Sequence, residues 1–300
     1  MPPRLPDFIG IGIAHAGSTW LHWALKERVG LPLPKKETHF FDWHYERGLD
    51  WYAASFAHCR ADQPMGEICN YFPSPEACER IALHIPRCKI ICSLRDPVDR
   101  AYSAYKFALY NGLTRDSFER ALESAPAVTA GNLYARHLAD WYAKFGKERV
   151  LVVFFEELRV NPQAYLNKVC DFLGIAQIDV ASLKLPARAF NSHSLMPRNP
   201  SIARKARRAI NWLRDRDYGS AVDLLERAGV WKLCFAGKFP PIDPQLEARL
   251  RRQYLPQVEA LERMTGHDLS SWKPSSSLDV RNQGLSLEAR HNLKTIQPPA

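Results

Sequence analysis

A chain of 300 residues with 46% hydrophobic and 24% charged side chains can bury a sizeable core, which excludes a disordered or fibrous protein. Its formal net charge of +9 favours anionic partners without choosing among nucleotides, acidic glycans, nucleic acid and anionic membrane surfaces. The cysteines, Cys59, Cys69, Cys78, Cys88, Cys92, Cys170 and Cys234, form no CxxC pair and are odd in number, which argues against a disulfide framework or a zinc site.

In chain order, Phe8–Ile13 predicts a buried strand and Ser18–Arg28 a helix, with a short Gly/Ser/Thr loop between them. Such a loop at a helix N-terminus is an anion site, because its backbone amides point outward and the helix dipole favours negative charge. Lys35–Trp43 reads as a charged and aromatic loop, Glu76–Ile85 as a helix and Lys89–Leu94 as a buried strand. Asp96 can cap the next helix, with Pro97 at its first position, as far as about Leu109. Asn132–Phe145 reads as a helix and Arg149–Phe155 as a third buried strand. A helix from about Pro162 to Leu173 stops at Gly174. This alternation predicts an α/β fold with a parallel β-sheet flanked by helices on both faces.

Leu183–Pro200 is irregular and rich in proline, and Ile202–Leu213 reads as a basic amphipathic helix. Pro244–Met264 predicts a long helix, and Gly266–Trp272 a C-terminal lock on the core. Lys273–Ala300 is polar without apolar period and reads as a flexible tail. One domain over residues 1–272 is expected, with a nucleotide-binding core at about 8–175 and an acceptor, lid and C-terminal helical region at about 183–272. No signal peptide is read at the start, and no run approaches the ~20 apolar residues of a membrane span. A reducing, cytoplasmic setting is therefore expected.

The loop is not a Walker A motif, because Gly17 stands where a lysine must precede the Ser/Thr. The dinucleotide fingerprint is absent as well, since Gly10 and Gly12 lie inside the strand. His15-Ala16-Gly17-Ser18-Thr19-Trp20-Leu21 instead resembles the 5′-phosphosulfate loop of sulfotransferases that use 3′-phosphoadenosine 5′-phosphosulfate (PAPS), Lys-x-Gly-Thr-Thr-x-Leu. KIICSLRDPVDRAYSAY, Lys89 to Tyr105, resembles that family's 3′-phosphate motif almost throughout. Lys35–Phe41 resembles the Lys-Glu-x-x-Phe-Phe segment of the glycan-directed branch, which contains the heparan sulfotransferases and bacterial relatives. Gly131–Tyr134 and Gln253–Trp272 are similar to two further segments in the same order.

The resemblance implies a P-loop-like sheet and transfer of a sulfuryl group from PAPS to a hydroxyl or amine, leaving adenosine 3′,5′-bisphosphate (PAP), with no metal. The acceptor would be a glycan, glycolipid or small natural product. His15, Ala16, Gly17, Ser18, Thr19 and Trp20 would cradle the 5′-phosphosulfate, Arg95 and Ser103 would hold the 3′-phosphate, and Tyr134 and Arg198 would contact the nucleotide. Glu37 would be the general base, a role it can fill if burial raises its pKa, and Lys36 would steer the sulfonate or the acceptor. His39, Phe40 and Phe41 would line the acceptor pocket.

His15 departs from the family, which has lysine there. A protonated imidazole can serve the leaving oxygen, another cation such as Lys35 or Lys36 can replace it, or turnover is weak and the chain binds rather than transfers. The basic region 198–216 offers a peripheral surface for acidic glycans or lipid head groups. A P-loop kinase and a binder of anionic polymers or nucleotides are the competing functions, nucleic acid is not expected as a partner, and the oligomeric state is open.

Overall fold

Phe8–Gly12 (β1), Gly66–Ile68 (β2), Lys89–Leu94 (β3) and Val150–Phe154 (β4) pair in parallel in the order β2-β1-β3-β4. Parallel strands covered on both faces read as continuous apolar runs, which is why β1, β3 and β4 stand out in the sequence. The structure, a computed structural model, describes residues 3–185, 195–197, 205, 209 and 235–274. The expected Ile202–Leu213 helix, Arg198, almost all of the 198–216 basic region, Cys234 and the tail beyond 274 lie outside the described residues.

Successive strand residues alternate between two cores. Ile9, Ile11, Ile90, Cys92 and Leu94 face one layer, while Phe8, Ile91 and Val153 face the other. The first layer holds Pro75–His84 (α3), Pro97–Tyr110 (α4), Tyr134–Phe145 (α7) and Pro244–Thr265 (α10), through Ile81, Val98, Leu138 and Leu261. The second holds Ser18–Leu25 (α1) and Pro162–Leu173 (α9), through Leu21, Leu25, Leu166 and Val169. Helices thus flank both faces of a parallel sheet, as the alternation predicted. Gly48–Ala54 (α2), Phe118–Ser124 (α5), Pro126–Thr129 (α6) and Phe155–Val160 (α8) are further α-helices, and short 3₁₀ turns join several elements.

Several boundaries differ from expectation. β1 ends at Gly12, where φ is +100° and an added Cβ would lie 2.6 Å from Asn70 Oδ1. That oxygen accepts from the Ala14 amide at 2.9 Å and turns the chain into the loop. α1 stops at Leu25 and α7 starts at Tyr134. β2 has only three residues, one of them charged, and carries no strand signature. Its Glu67 is fully buried, accepting from the Thr38 amide at 2.6 Å and from the Tyr52 and Tyr71 hydroxyls at 3.0 and 3.3 Å. A second, antiparallel pair joins Leu195–Pro197 (β5) to Phe235–Lys238 (β6).

The C-terminal lock is present. Gly266 ends α10 in the left-handed region, and Leu269 and Trp272 are buried. The Trp272 ring packs 5.7 Å from Phe154 and 6.3 Å from Tyr134. Cys59, Cys69, Cys78, Cys88, Cys92 and Cys170 are free thiols, all buried except Cys59. Among the described residues no helix is long and apolar enough to cross a membrane.

Candidate active site

The loop after β1 presents its amides by pinning its carbonyls. The His15 carbonyl accepts from Arg95 Nη1 at 3.2 Å, and the Ala16 carbonyl from Ser93 Oγ at 2.5 Å. Tyr165 donates its hydroxyl to that serine at 3.2 Å. Carbonyl and amide point oppositely across a trans peptide, so the Ala16 and Gly17 N–H groups are turned the other way. Gly17 caps α1 at φ 90°, where a Cβ would meet Leu158 Cδ2 at 3.0 Å and Phe155 Cδ2 at 3.1 Å. Only glycine fits both that backbone and that space. The Leu21 amide bonds the Gly17 carbonyl at 3.0 Å, so the amides of Ser18, Thr19 and Trp20 precede the first intrahelical bond.

Arg95 follows β3 and reaches across to this loop. Its guanidinium lies over the Phe155 ring at 4.7 Å, with Nη2 3.7 Å from Asp99 Oδ2. Its Nε is buried without a hydrogen-bond partner. Asp99, Ser103 and Phe107 form one i, i+4 stripe on α4. Asp99 touches Arg95 and Phe107 packs 5.5 Å from the His15 ring, so Ser103 between them faces the same space. Asp96 caps α4, accepting from the Val98 and Asp99 amides at 2.8 and 3.2 Å, and Arg251 of α10 donates to its other oxygen at 2.9 Å. Lys106 is pushed below its usual range by burial and by the Arg95 charge. Two cations that disfavour each other beside outward-turned amides suit a polyanion.

The 36–42 turn supplies a different arrangement. Lys36 Nζ lies 2.7 Å from Glu37 Oε1 and 3.5 Å from Ser18 Oγ, which joins the turn to the loop after β1. Glu37 Oε2 lies 3.2 Å from His39 Nε2, whose Nδ1 lies 3.0 Å from Asp42 Oδ2. The His39 ring stacks on Trp43 at 3.9 Å. The base role asked of Glu37 has the condition that burial raise its pKa. Burial does act in that direction, but His39 and Lys36 together outweigh it and hold the carboxyl down to about 2. Burial would lower His39, yet Asp42 and Glu37 raise it to about 9.

Several expected residues sit elsewhere. Phe40 and Phe41 are fully buried, Phe40 stacked on Tyr52 at 4.7 Å, and belong to the core instead of an acceptor pocket. Trp20 packs its indole edge-on against Tyr165 in the second core, leaving only its amide to the loop. Tyr134 is buried beneath the site and donates its hydroxyl to the Arg95 carbonyl at 2.9 Å, a positioning contact. Thr19 is half-buried at the loop. Exposed Trp43 is the aromatic face the turn offers to solvent. Sequence reading missed Asp42, Lys106, Ser93 and Tyr165; only Asp42 had a signal, a carboxylate three residues after His39. It also found no metal-ligand spacing, whereas the fold brings Glu37, His39 and Cys69 together.

The residues present fit a phosphosulfate nucleotide: a glycine cradle, helix-terminal amides that precede the first intrahelical bond and a buried guanidinium nitrogen lacking an acceptor. The sulfotransferase domain family matches residues 5–183. Human bifunctional heparan sulfate N-deacetylase/N-sulfotransferase 3 is 34% identical over 198 residues, 57% of this chain and 22% of that protein. Mouse heparan sulfate glucosamine 3-O-sulfotransferase 3B1 is 32% identical over 185 residues, 58% of this chain and 47% of that protein. The chain thus matches between about a fifth and a half of the length of these relatives. A sulfotransferase from Alicyclobacillus acidocaldarius shares the fold, with TM-score 0.64 and 24% identity over 90% of this chain and 99% of that one.

Proposed function

The chain belongs to the sulfotransferase family, and we propose that it moves a sulfuryl group from PAPS to a hydroxyl or amine of a glycan, glycolipid or small natural product, leaving PAP. The observation that carries this reading is the Arg95 bond to the His15 carbonyl, which sets two anion receptors in one frame. Amides of residues 16–20, with the Ser18 and Thr19 hydroxyls, hold the 5′-phosphosulfate. Arg95 and Ser103 hold the 3′-phosphate, with Lys106 adding charge, Tyr134 fixing the Arg95 backbone and Arg198 joining from its own segment. The catalytic unit spans residues 1–272, and we place the reaction in the cytoplasm, where its free thiols stay reduced.

In the transfer the acceptor atom bonds to sulfur as the sulfur bond to the bridging 5′-phosphate oxygen breaks. The electron pair stays on that oxygen, and the acceptor proton goes to Glu37. At about 2 the Glu37 carboxyl is a poor proton acceptor while both Lys36 and His39 hold it. Lys36 already lies between Glu37 and Ser18. A sulfonate seated at the loop draws Lys36 toward itself and leaves Glu37 more basic when the acceptor arrives. His15 opens this loop and supplies charge to the leaving oxygen as imidazolium.

The test is incubation with PAPS and a panel of amine- and hydroxyl-bearing glycans and small aromatic alcohols, following PAP release and sulfated product. Acceptor-dependent PAP release supports transfer. PAP binding without release under any acceptor supports a nucleotide binder instead.

A further inference from the structure

Cys69 has no part in the reaction above, yet its sulfur lies close to the proposed base. A carboxylate oxygen of Glu37, a ring nitrogen of His39 and Cys69 Sγ all lie within 4.8 Å of one another. Oxygen, nitrogen and sulfur donors in one place suit zinc, which accepts all three in tetrahedral geometry. Lys36 engages Glu37 Oε1 and leaves Oε2 on the His39 side, 3.2 Å from Nε2. Two tetrahedral zinc ligands of these kinds stand about 3.3 Å apart, given bond lengths of about 2.0–2.1 Å.

A second observation points the same way. His39 Nδ1 is engaged by Asp42 Oδ2 at 3.0 Å. A carboxylate on the far nitrogen fixes the ring and directs Nε2 to the metal in carboxylate–histidine–zinc groups. Glu37 and His39 are half-buried and give access from outside, whereas Cys69 is buried. We propose that Glu37, His39 and Cys69 form a site for a thiophilic divalent cation, zinc foremost, with water as fourth ligand. Its occupation stops sulfuryl transfer by engaging Glu37, a consequence that rests on the base role argued above; the site itself does not. Binding displaces one proton from His39 Nε2 and one from the Cys69 thiol, both to solvent, with no change in oxidation state.

Titration of the full, reduced chain with Co²⁺ tests this without turnover. A thiolate-to-cobalt charge-transfer band with tetrahedral d–d bands is expected at one ion per chain, displaced by Zn²⁺. Cys69→Ser abolishes the band, and Asp42→Asn weakens binding about 10- to 100-fold. Cys59→Ser keeps it, which excludes Cys59, whose Sγ lies 3.7 Å from His58. Cys69→Ala serves as a second variant, and circular dichroism with a cooperative thermal transition verifies that each variant folds. Zn²⁺ should inhibit transfer by the parent chain and spare Cys69→Ser. Absence of a thiolate band, or an undiminished band in folded Cys69 variants, overturns the site. A Cys69-dependent band in a chain that never transfers sulfuryl upholds the site and overturns the reaction instead.

Discussion

In the 15–19 loop the outward-turned groups are main-chain amides, and the carbonyls behind them are pinned by Arg95 and Ser93. In the 36–42 turn the functional groups are side chains held by other side chains, from Ser18 through Lys36, Glu37 and His39 to Asp42. The loop is therefore a backbone arrangement that rests on two side-chain supports, Arg95 and Ser93. The acceptor side is an electrostatic chain whose members set one another's charge, so removing one member alters the rest. Binding and chemistry should separate along that division.

Glu37→Gln breaks the chain at its centre and should lower kcat about 10²- to 10⁴-fold, the range for loss of a general base. PAP affinity should stay at the parent value by calorimetry. His15→Ala should lower kcat about 10²- to 10³-fold if its imidazolium meets developing charge, with His15→Lys restoring most of it. Unchanged kcat in His15→Ala would assign the leaving oxygen to Lys35 or Lys36. Gly17→Ala attacks the donor side through the backbone. Its left-handed φ and contacts at 3.0–3.1 Å should cost about 1–3 kcal/mol, read as weaker PAP binding and a lower Tm.

The smallest effect concerns stability against pH. His39 is raised from 6.5 to about 9, so its contribution is complete below pH 6.5 and lost as pH rises through about 9. Glu37 is lowered from 4.5 to about 2, so its contribution is complete above pH 4.5 and lost as pH falls through about 2. The pair is fully stabilising from pH 4.5 to 6.5. In urea unfolding, the gap between parent and His39→Gln should be wider at about pH 6 than at about pH 10. An equal gap at both would remove the ion pair.

These two regions also differ in how far the sequence discloses them. The first region is local: an apolar strand and a Gly/Ser/Thr loop are contiguous, so Gly17 is legible from its neighbours, whereas Arg95 and Ser103 are found by resemblance. β2 is not, because its Glu67 is buried only through Thr38, Tyr52 and Tyr71, partners from other segments. α5 and α6, of seven and four residues, are too short to show a helical period. On the acceptor side Glu37 is found by resemblance, but the direction of its pKa depends on where His39 and Lys36 point. Phe40 and Phe41 look available in a polar loop, and only packing against Tyr52 shows them buried. Cys69 reaches Glu37 through tertiary structure alone.

The most direct measurement is calorimetric titration of PAP into the parent chain, Arg95→Ala and Glu37→Gln, with ATP as the competing nucleotide. The parent should prefer PAP. Arg95→Ala should lose about 1.5–3 kcal/mol of binding, the range for a hydrogen bond to a charged group, and Glu37→Gln should bind as the parent does. Equal affinity for ATP and PAP, or undiminished PAP binding in Arg95→Ala, would contradict the donor site.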